Sequence, residues 1–386
     1  MLITDFTSDA PGQLIQNLEG RLTFLPNPLP PKIDWPNTLL KQASDVSNVL
    51  GRLDGIASGL PDQQILIRSF VRREAQLSSF IENTYARYEE VAELQREKRP
   101  TNKRSEVWET WNAEQAINAG VEAVFEHGQP ITLSLIRQIH GLLLDGVRGG
   151  HAKGRFRDVQ VYIGKAHESP EQARFVPPPC TALLEAMEQF QHYLSGENDL
   201  PALLQIGLLH YQFETIHPFE DGNGRLGRIL VLLGLCQHRL LTVPLLNASL
   251  YFERHRQDYY DALLGVSSHG KWVNWLSFFV EGIRVAAEEA IEKLRELNGL
   301  KRAYYDQIHA IRGTGMLLKL VDNLFVSPRI NIADAVGILG VSTEAARQNV
   351  KKLVGIGVLR QIDGVYPALF VADTILKAVN AEPTRR

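Results

Sequence analysis

Between Ile131 and Leu297 apolar residues recur at helical spacing in six successive segments, 131–145, 181–194, 202–215, 225–237, 251–264 and 272–297. Helices patterned in this way must bury one face each, so this part of the chain can only satisfy itself as a helical core. The period changes once. Val159, Val161 and Ile163 alternate with Gln160 and Tyr162, and Arg174-Phe175-Val176 follows a polar turn, which predicts a β-hairpin ended by Pro177-Pro178-Pro179. The expected fold class is therefore mainly α, with one hairpin inserted in the helical core.

The flanks read differently. Pro28, Pro30 and Pro31 force an extended lead-in. Leu39, Leu40, Ala43, Val46, Leu50 and Leu53 then predict one helix, and a second is expected over 63–88 after breaks at Gly55 and at Gly59-Leu60-Pro61. A polar stretch over 95–105, with Pro100 inside it, suggests a boundary. After Gly299 a third unit centres on 331–350, where a glycine-containing turn joins two short amphipathic helices, and a glycine turn at Asp363-Gly364 suits a two-stranded wing. Ser342 is placed to cap the second of these helices by accepting from the amide of Ala345. The expected domains are 1–104, 105–298 and 299–386, consistent with a 386-residue chain that exceeds one ordinary core.

Composition excludes several classes. A formal charge of -3 predicts no general attraction to nucleic acid or membranes, so any basic site must be local. Cys180 and Cys236 lie far apart, without metal-ligand spacing, and read as packing residues of a reducing compartment. No apolar run reaches the roughly 18 residues of a membrane span, and the first residues lack an export pattern, which leads to a cytoplasmic expectation.

The chemistry concentrates in His217-Pro218-Phe219-Glu220-Asp221-Gly222-Asn223-Gly224-Arg225-Leu226-Gly227-Arg228. Two glycines ahead of a helix expected to begin near Arg225 expose free amides, which form an anion cradle suited to a di- or triphosphate. Arg225 and Arg228 share a face of that helix and can reach phosphate oxygens. Asp221 is the nearest acid, and a carboxylate beside bound phosphates is an ordinary way to hold Mg²⁺. His217 can accept a proton near neutral pH. Base, metal ligand and anion hole together suit phosphoryl or nucleotidyl transfer.

This segment resembles the signature of the Fic family, His-x-Phe-x-Asp/Glu-Gly-Asn-Gly-Arg-x-x-Arg, at every specified position. The resemblance implies a protein adenylyltransferase that uses ATP and Mg²⁺ to attach AMP to a Tyr, Ser or Thr hydroxyl of a target, with self-modification as a further outcome. It implies that His217 deprotonates the hydroxyl and that Asp221 binds Mg²⁺. Gly222, Asn223, Gly224 and Arg225 would hold the α- and β-phosphates, Arg228 the γ-phosphate, and Phe219 would anchor the loop. Val159, Val161 and Ile163 look like the family's flap, whose edge would pair with a target main chain, although a plain edge hairpin suits the same residues. Ser249 to Phe252 and Tyr259-Tyr260 would either enclose adenine or pack as core.

Ser78-Ser79-Phe80-Ile81-Glu82-Asn83 matches the family's inhibitory motif, Ser/Thr-x-x-x-Glu-Gly/Asn. Ser78 and Glu82 share a helix face, and the implied brake is a Glu82 to Arg228 pair at the γ-phosphate position. AMP removal and a homodimer that moves the Glu82 helix stay open. Two rival readings remain. One is a DNA-binding regulator, because the C-terminal unit resembles a winged helix whose recognition helix would carry Arg347, Gln348, Asn349, Lys351 and Lys352; the same unit also suits protein contacts. The other is transfer of UMP, phosphocholine or a phosphate. A kinase-type cradle would lose Gly224 or Arg228, and both are kept here.

Overall fold

The computed structural model describes residues 1–58, 64–87, 90–91, 94, 104–164, 170–196, 198–325 and 327–380. The Gly59-Leu60-Pro61 break, nearly all of the polar stretch at 95–105 and the turn of the expected 159–176 hairpin lie outside them. The chain forms two compact units, one of residues 1–54 and 70–287, the other of 55–69 and 288–386. The boundary expected at 104 thus falls inside the first unit, and the one expected at 298 falls within a continuous helix. Among the described residues no helix is long and apolar enough to cross a membrane.

The first unit opens with an antiparallel hairpin, β1 (Gly12–Gln16) and β2 (Leu22–Pro26), in register from Gly12 opposite Pro26 to Gln16 opposite Leu22. Sequence reading missed it, because each strand is only five residues long and its alternation is imperfect. Phe24 fixes it: the ring is fully buried, stacks on Phe6 with centroids 5.4 Å apart, and meets Phe175 at 5.8 Å.

Next come α1 (Asn37–Ser58), α2 (Gln64–Ile81), α3 (Ser105–Val121) and α4 (Leu133–Leu143), then α5 (Cys180–Ser195), α6 (Ala202–Ile216) and α7 (Asn223–Gln237). The second predicted helix stops at Ile81, short of 88, because Asn83 adopts a left-handed φ of 58° while the Thr84 amide turns back to the Ser79 carbonyl. Expected helix 251–264 is divided into α8 (Ser249–Arg254) and α9 (Arg256–His269), and α10 (Trp272–Ala310) runs past the predicted end at Leu297.

Helices α6 and α7 form the centre. Most of their side chains are buried on every face, including Leu203, Leu208, Tyr211 and Phe213 on α6 and Leu226, Leu232, Leu233 and Leu235 on α7. A helix apolar all round has no solvent side and must be packed on by others. Gly207 permits the closest approach: a Cβ there would lie 2.7 Å from Leu276 Cδ2, and its carbonyl accepts from the Trp275 indole at 2.9 Å. The loop from His217 to Gly222 therefore joins two fully supported helices.

The expected hairpin over 159–176 is reduced to one isolated antiparallel bridge, Ile163 with Phe175. Val159 and Val161 form no strand. The reason is in the sequence: continuing that register would place Val161 opposite Pro177 and Val159 opposite Pro179, and proline has no N–H to donate to a ladder. The Val159 and Val161 carbonyls turn instead to Arg157 Nη1 and Gln160 Nε2.

In the second unit α11 (Gly315–Leu324), β3 (Arg329–Asn331), α12 (Ile332–Leu339), α13 (Thr343–Gly355), β4 (Arg360–Ile362), β5 (Leu369–Val371) and α14 (Asp373–Asn380) follow in order. The sheet has three strands, β3-β5-β4, where two were expected, all antiparallel, with Ile330 and Gln361 both opposite Phe370. Leu317, Val321, Ile330, Ala346, Val350, Leu353 and Phe370 share one core. Asn331 and Asp334 cap α12 reciprocally, Gly340 ends it at φ 66°, and Ser342 caps α13 by accepting from the Ala345 amide at 3.3 Å, as anticipated. Asn349, expected on the exposed face of this helix, is buried and bonds the Ala345 carbonyl.

Truncating Phe24 to Ala should remove a buried ring from the N-terminal hairpin and cost about 3–5 kcal/mol. Thermal denaturation followed by near-UV circular dichroism should show the first transition lowered by several degrees.

Candidate active site

His217 terminates α6 in the left-handed region, at φ 50° and ψ 62°. The following Pro218 disfavours helical angles at the preceding residue, so the chain leaves the helix here. His217 Nδ1 lies 3.2 Å from the Glu214 carbonyl, which can only accept, so Nδ1 carries the proton and Nε2 keeps its lone pair. Burial pushes the imidazole pKa down to about 4, with the Arg157 charge adding to the effect against the opposing Glu214 carbonyl. It is thus neutral and able to accept a proton at pH 7.

Below it, Asn223 clasps the loop. Its Oδ1 accepts from the Phe219 amide at 2.9 Å and its Nδ2 donates to the Phe219 carbonyl at 2.8 Å. Asn223 was expected to hold phosphate; its side chain holds the loop instead, leaving its main-chain amide for a ligand. Phe219 is fully buried and stacks on His140 with centroids 3.7 Å apart. His140 Nδ1 accepts from the Gly154 amide at 2.9 Å, so its Nε2 donates to the Asp221 carbonyl at 3.0 Å. Burial lowers this imidazole to about 4, which keeps it neutral in that role.

Gly222 caps α7 with φ 79°, a conformation that glycine adopts without strain, and α7 begins at Asn223, two residues earlier than expected. Asp221 stands beside the cap with its side chain 27% exposed. Its Oδ1 accepts from the Gly222 amide at 2.7 Å and lies 3.7 Å from Arg225 Nη2; its Oδ2 accepts from Arg148 Nε at 3.0 Å.

Both arginines of α7 are buried. Arg225 pairs through Nη1 with Glu109 Oε2 of α3 at 3.1 Å, and among the described residues its Nε has no hydrogen-bond partner. Arg228 is held from α2: Nε donates to Ser78 Oγ at 2.9 Å, and Nη2 donates to the Ser78 carbonyl at 3.0 Å and to Glu82 Oε1 at 2.7 Å. The pair with Glu82 is made by one nitrogen. Burial raises the Glu82 carboxyl, but the attraction of Arg228 outweighs it and holds the group below its usual value. The same carboxylate crowds Gly224, where an added Cβ would collide with Glu82 Oε1 and come within 3.1 Å of Arg228 Nη1. Ser78, Glu82, Gly224 and Arg228 therefore converge on one spot at the start of α7.

Several other contacts secure α2. Arg72 pairs with Glu114 at 2.9 and 3.0 Å, Glu74 accepts from Ser249 Oγ at 2.6 Å, and Asn83 Oδ1 accepts from Arg256 Nη1 at 2.8 Å. Burial raises Glu74 to about 7, against the Ser249 hydrogen bonds, and Glu214 to about 8, against the Arg228 charge. Tyr259 is buried against Phe252 and His210, so the core alternative holds for it; Tyr260 is partly buried and lies near the Ile81 carbonyl.

Sequence reasoning missed Glu109, Arg148, His140 and Arg157. Glu109 left a faint signal, since it falls on the same helix face as Ala113 and Ala116. The others sit far along the chain from their partners, beyond any local pattern. The expected flap residues build no ladder: Val159 is 49% exposed and only Ile163 enters the bridge.

A glycine-capped buried helix with paired arginines, preceded by a histidine loop, is an arrangement suited to an anion. Residues 130–235 match the Fic/DOC family model and residues 40–122 the Fic/DOC family N-terminal model. The chain carries a Fic/DOC domain preceded by that family's N-terminal region. Over 143 residues it is 35% identical to the protein adenylyltransferase Fic of Drosophila grimshawi, covering 35% of this chain and 26% of that protein. Over 107 residues it is 33% identical to a probable protein adenylyltransferase of Aquifex aeolicus, covering 27% of this chain and 33% of that one. The matched stretches thus span about a quarter to a third of these relatives. In fold it resembles a Fic family protein from Desulfovibrio desulfuricans G20, with a TM-score of 0.60, 21% identity, and 89% and 98% of the two chains covered. The N-terminal hairpin lies outside both family matches.

Asn223→Ala should remove both hydrogen bonds to Phe219 and leave its buried main-chain groups unpaired, at a cost of about 1–3 kcal/mol. A lowered thermal midpoint, with the Phe219 amide exchanging faster in hydrogen exchange, is the expected result.

Proposed function

We propose that this chain transfers AMP from ATP to a hydroxyl side chain of a protein, and that Glu82 restrains it in the resting state. The observation that carries the reading is the convergence of Ser78, Glu82, Gly224 and Arg228 at the N-terminus of α7, beside a neutral His217. The main-chain amides after Gly222 form the anion cradle, and Arg225 and Arg228 supply the positive charge for a triphosphate. His217 Nε2 takes the proton of the acceptor hydroxyl as its oxygen bonds to the α-phosphorus, and pyrophosphate leaves.

Asp221 would hold Mg²⁺. The donor set fits: one partly exposed carboxylate at the phosphate cradle is what the ion needs when the nucleotide supplies further oxygens, and among the described residues no cluster of three acidic, histidine or cysteine groups offers another site. Arg148 would have to release Oδ2. When bound, the ion neutralises phosphate charge.

Glu82 acts by occupation. With Arg228 neutralised by Glu82 and its carboxylate against Gly224, a γ-phosphate has neither its cation nor its room. Asn83 supplies the left-handed residue that ends α2 beside Glu82, which is why glycine or asparagine suits that motif position. The first arm of the 159–176 segment, next to His217, is the proposed docking edge for a target main chain or for a segment of the protein itself.

A second reading concerns residues 288–386. The order of α11, β3, α12, α13, β4 and β5 is that of a winged helix, and Gln348, Lys351 and Lys352 are exposed on α13, with Arg347 exposed but paired to Glu344 at 3.1 Å. A salt titration by gel shift tests DNA binding: retention that weakens steeply with salt supports it, and no retention at low salt removes it.

Intact mass of Glu82→Gly incubated with ATP and Mg²⁺ should show a gain of one AMP, absent in the Glu82→Gly, His217→Ala double variant. ATP labelled at the α-position should label protein; label appearing only from the γ-position would overturn AMP transfer. Because the His217 pKa is depressed to about 4, the imidazole is protonated only as pH falls through that value. The acid limb of the Glu82→Gly rate should accordingly lie well below the ordinary histidine range near 6.5.

A further inference from the structure

We infer that Arg157 is the positioning residue that fixes the root of the 159–176 segment to the His217 loop, so that an acceptor hydroxyl on that segment meets the imidazole in register. The inference rests on the proposed transfer but concerns a residue outside the His217–Arg228 signature.

Arg157 is 3% exposed and has no carboxylate partner among the described residues. An arginine fork has five N–H donors, and all five are used here. Nε donates to the His217 carbonyl at 2.8 Å. Nη1 donates to the Val159 carbonyl at 3.2 Å and Cys180 Sγ at 3.3 Å. Nη2 donates to the Pro178 carbonyl at 2.6 Å and, at 3.4 Å, to that of Ile216. The Arg157 amide adds a bond to the Pro218 carbonyl at 2.9 Å. One planar group thus joins the last carbonyls of α6 to both ends of the acceptor-facing segment.

The arrangement has a physical logic. A buried charge without a counter-ion is costly unless dipoles surround it, and the C-terminal carbonyls of a helix are its negative end. Ile216 and His217 supply those carbonyls. Proline at 177–179 denies the segment a strand ladder to the loop side, so the guanidinium does the work that main-chain pairing would otherwise do. A lysine would keep the charge but has three donors and no fork, and cannot reach both ends at once.

The charge also bears on the base. The charged groups that act on His217 are Glu82, Asp221 and Arg157, beside the Glu214 main-chain carbonyl, and of these Arg157 alone opposes protonation.

The test uses the full chain in the Glu82→Gly background, with Arg157→Lys and Arg157→Met. Expected are a fall in kcat of about tenfold to a hundredfold in both and a KM for ATP changed by less than about twofold, since ATP-contacting groups are untouched. The acid limb should move upward in Arg157→Met and stay in place in Arg157→Lys. Without nucleotide, amide exchange at Ile163 and Phe175 in Arg157→Lys should quicken about tenfold while the α10 amides are unchanged. Full kcat in Arg157→Lys, unchanged exchange at Ile163 and Phe175, or a KM for ATP that rises as steeply as kcat falls would each overturn the inference. Should Arg157→Met not fold, Arg157→Lys carries the kcat, KM and exchange measurements alone. An inactive Glu82→Gly parent would instead refute AMP transfer, and the exchange experiment, which needs no turnover, would still decide whether Arg157 ties the segment to the loop.

Discussion

Arg225 and Arg228 sit one turn apart on a helix whose other faces are filled with leucine and isoleucine, and both guanidiniums are buried. Two cations cannot be sequestered there without nearby negative charge or hydrogen-bond acceptors, and much of the first unit is arranged around supplying them. Glu109 comes from α3 for Arg225. Ser78 and Glu82 come from α2 for Arg228. The docking of both helices against α7 is in this sense the neutralisation of its two buried arginines.

In the proposed reading, the groups that would hold phosphate are already in place, and what meets Arg228 is a carboxylate rather than a collapsed loop. Asn223, Phe219 and His140 hold the loop from beneath, while Asn83 and Arg256 hold the end of α2 from above. Removal of Glu82 from Arg228 therefore leaves the loop supported, because the contacts of Asn223, Phe219 and His140 run to one another, to Gly154 and to Asp221 rather than to Glu82.

Adjacent carboxyls take opposite protonation. Glu82 faces Arg228 directly and is held ionised, whereas Glu74 and Glu214, buried nearby without an equivalent ion pair, are pushed up to about 7 and about 8. Of these three, only Glu82, the one paired with Arg228, is held below its usual value. Burial of the same kind keeps His217 and His140 neutral, the first with its Nε2 lone pair free of a proton and the second as a fixed donor to the loop.

The sequence by itself determined the helical core, the glycine cap ahead of α7 and the two arginines on one face of that helix, because these depend on local spacing: 3.6-residue periodicity, glycine before a helix, arginines three apart. It also contained the reason the 159–176 segment fails as a ladder, since Pro177 and Pro179 lie where hydrogen-bond donors were needed. Tertiary structure decided what those groups touch. That Asn223 clasps the loop with its side chain, that Glu109 neutralises Arg225, and that Arg157 ties two distant segments follows from contacts spanning 4 to 116 residues. Glu82 reaches Arg228 across 146 residues. Periodicity places a residue on a face but does not say which other face will meet it; that is fixed by how buried charges find partners when the helices pack.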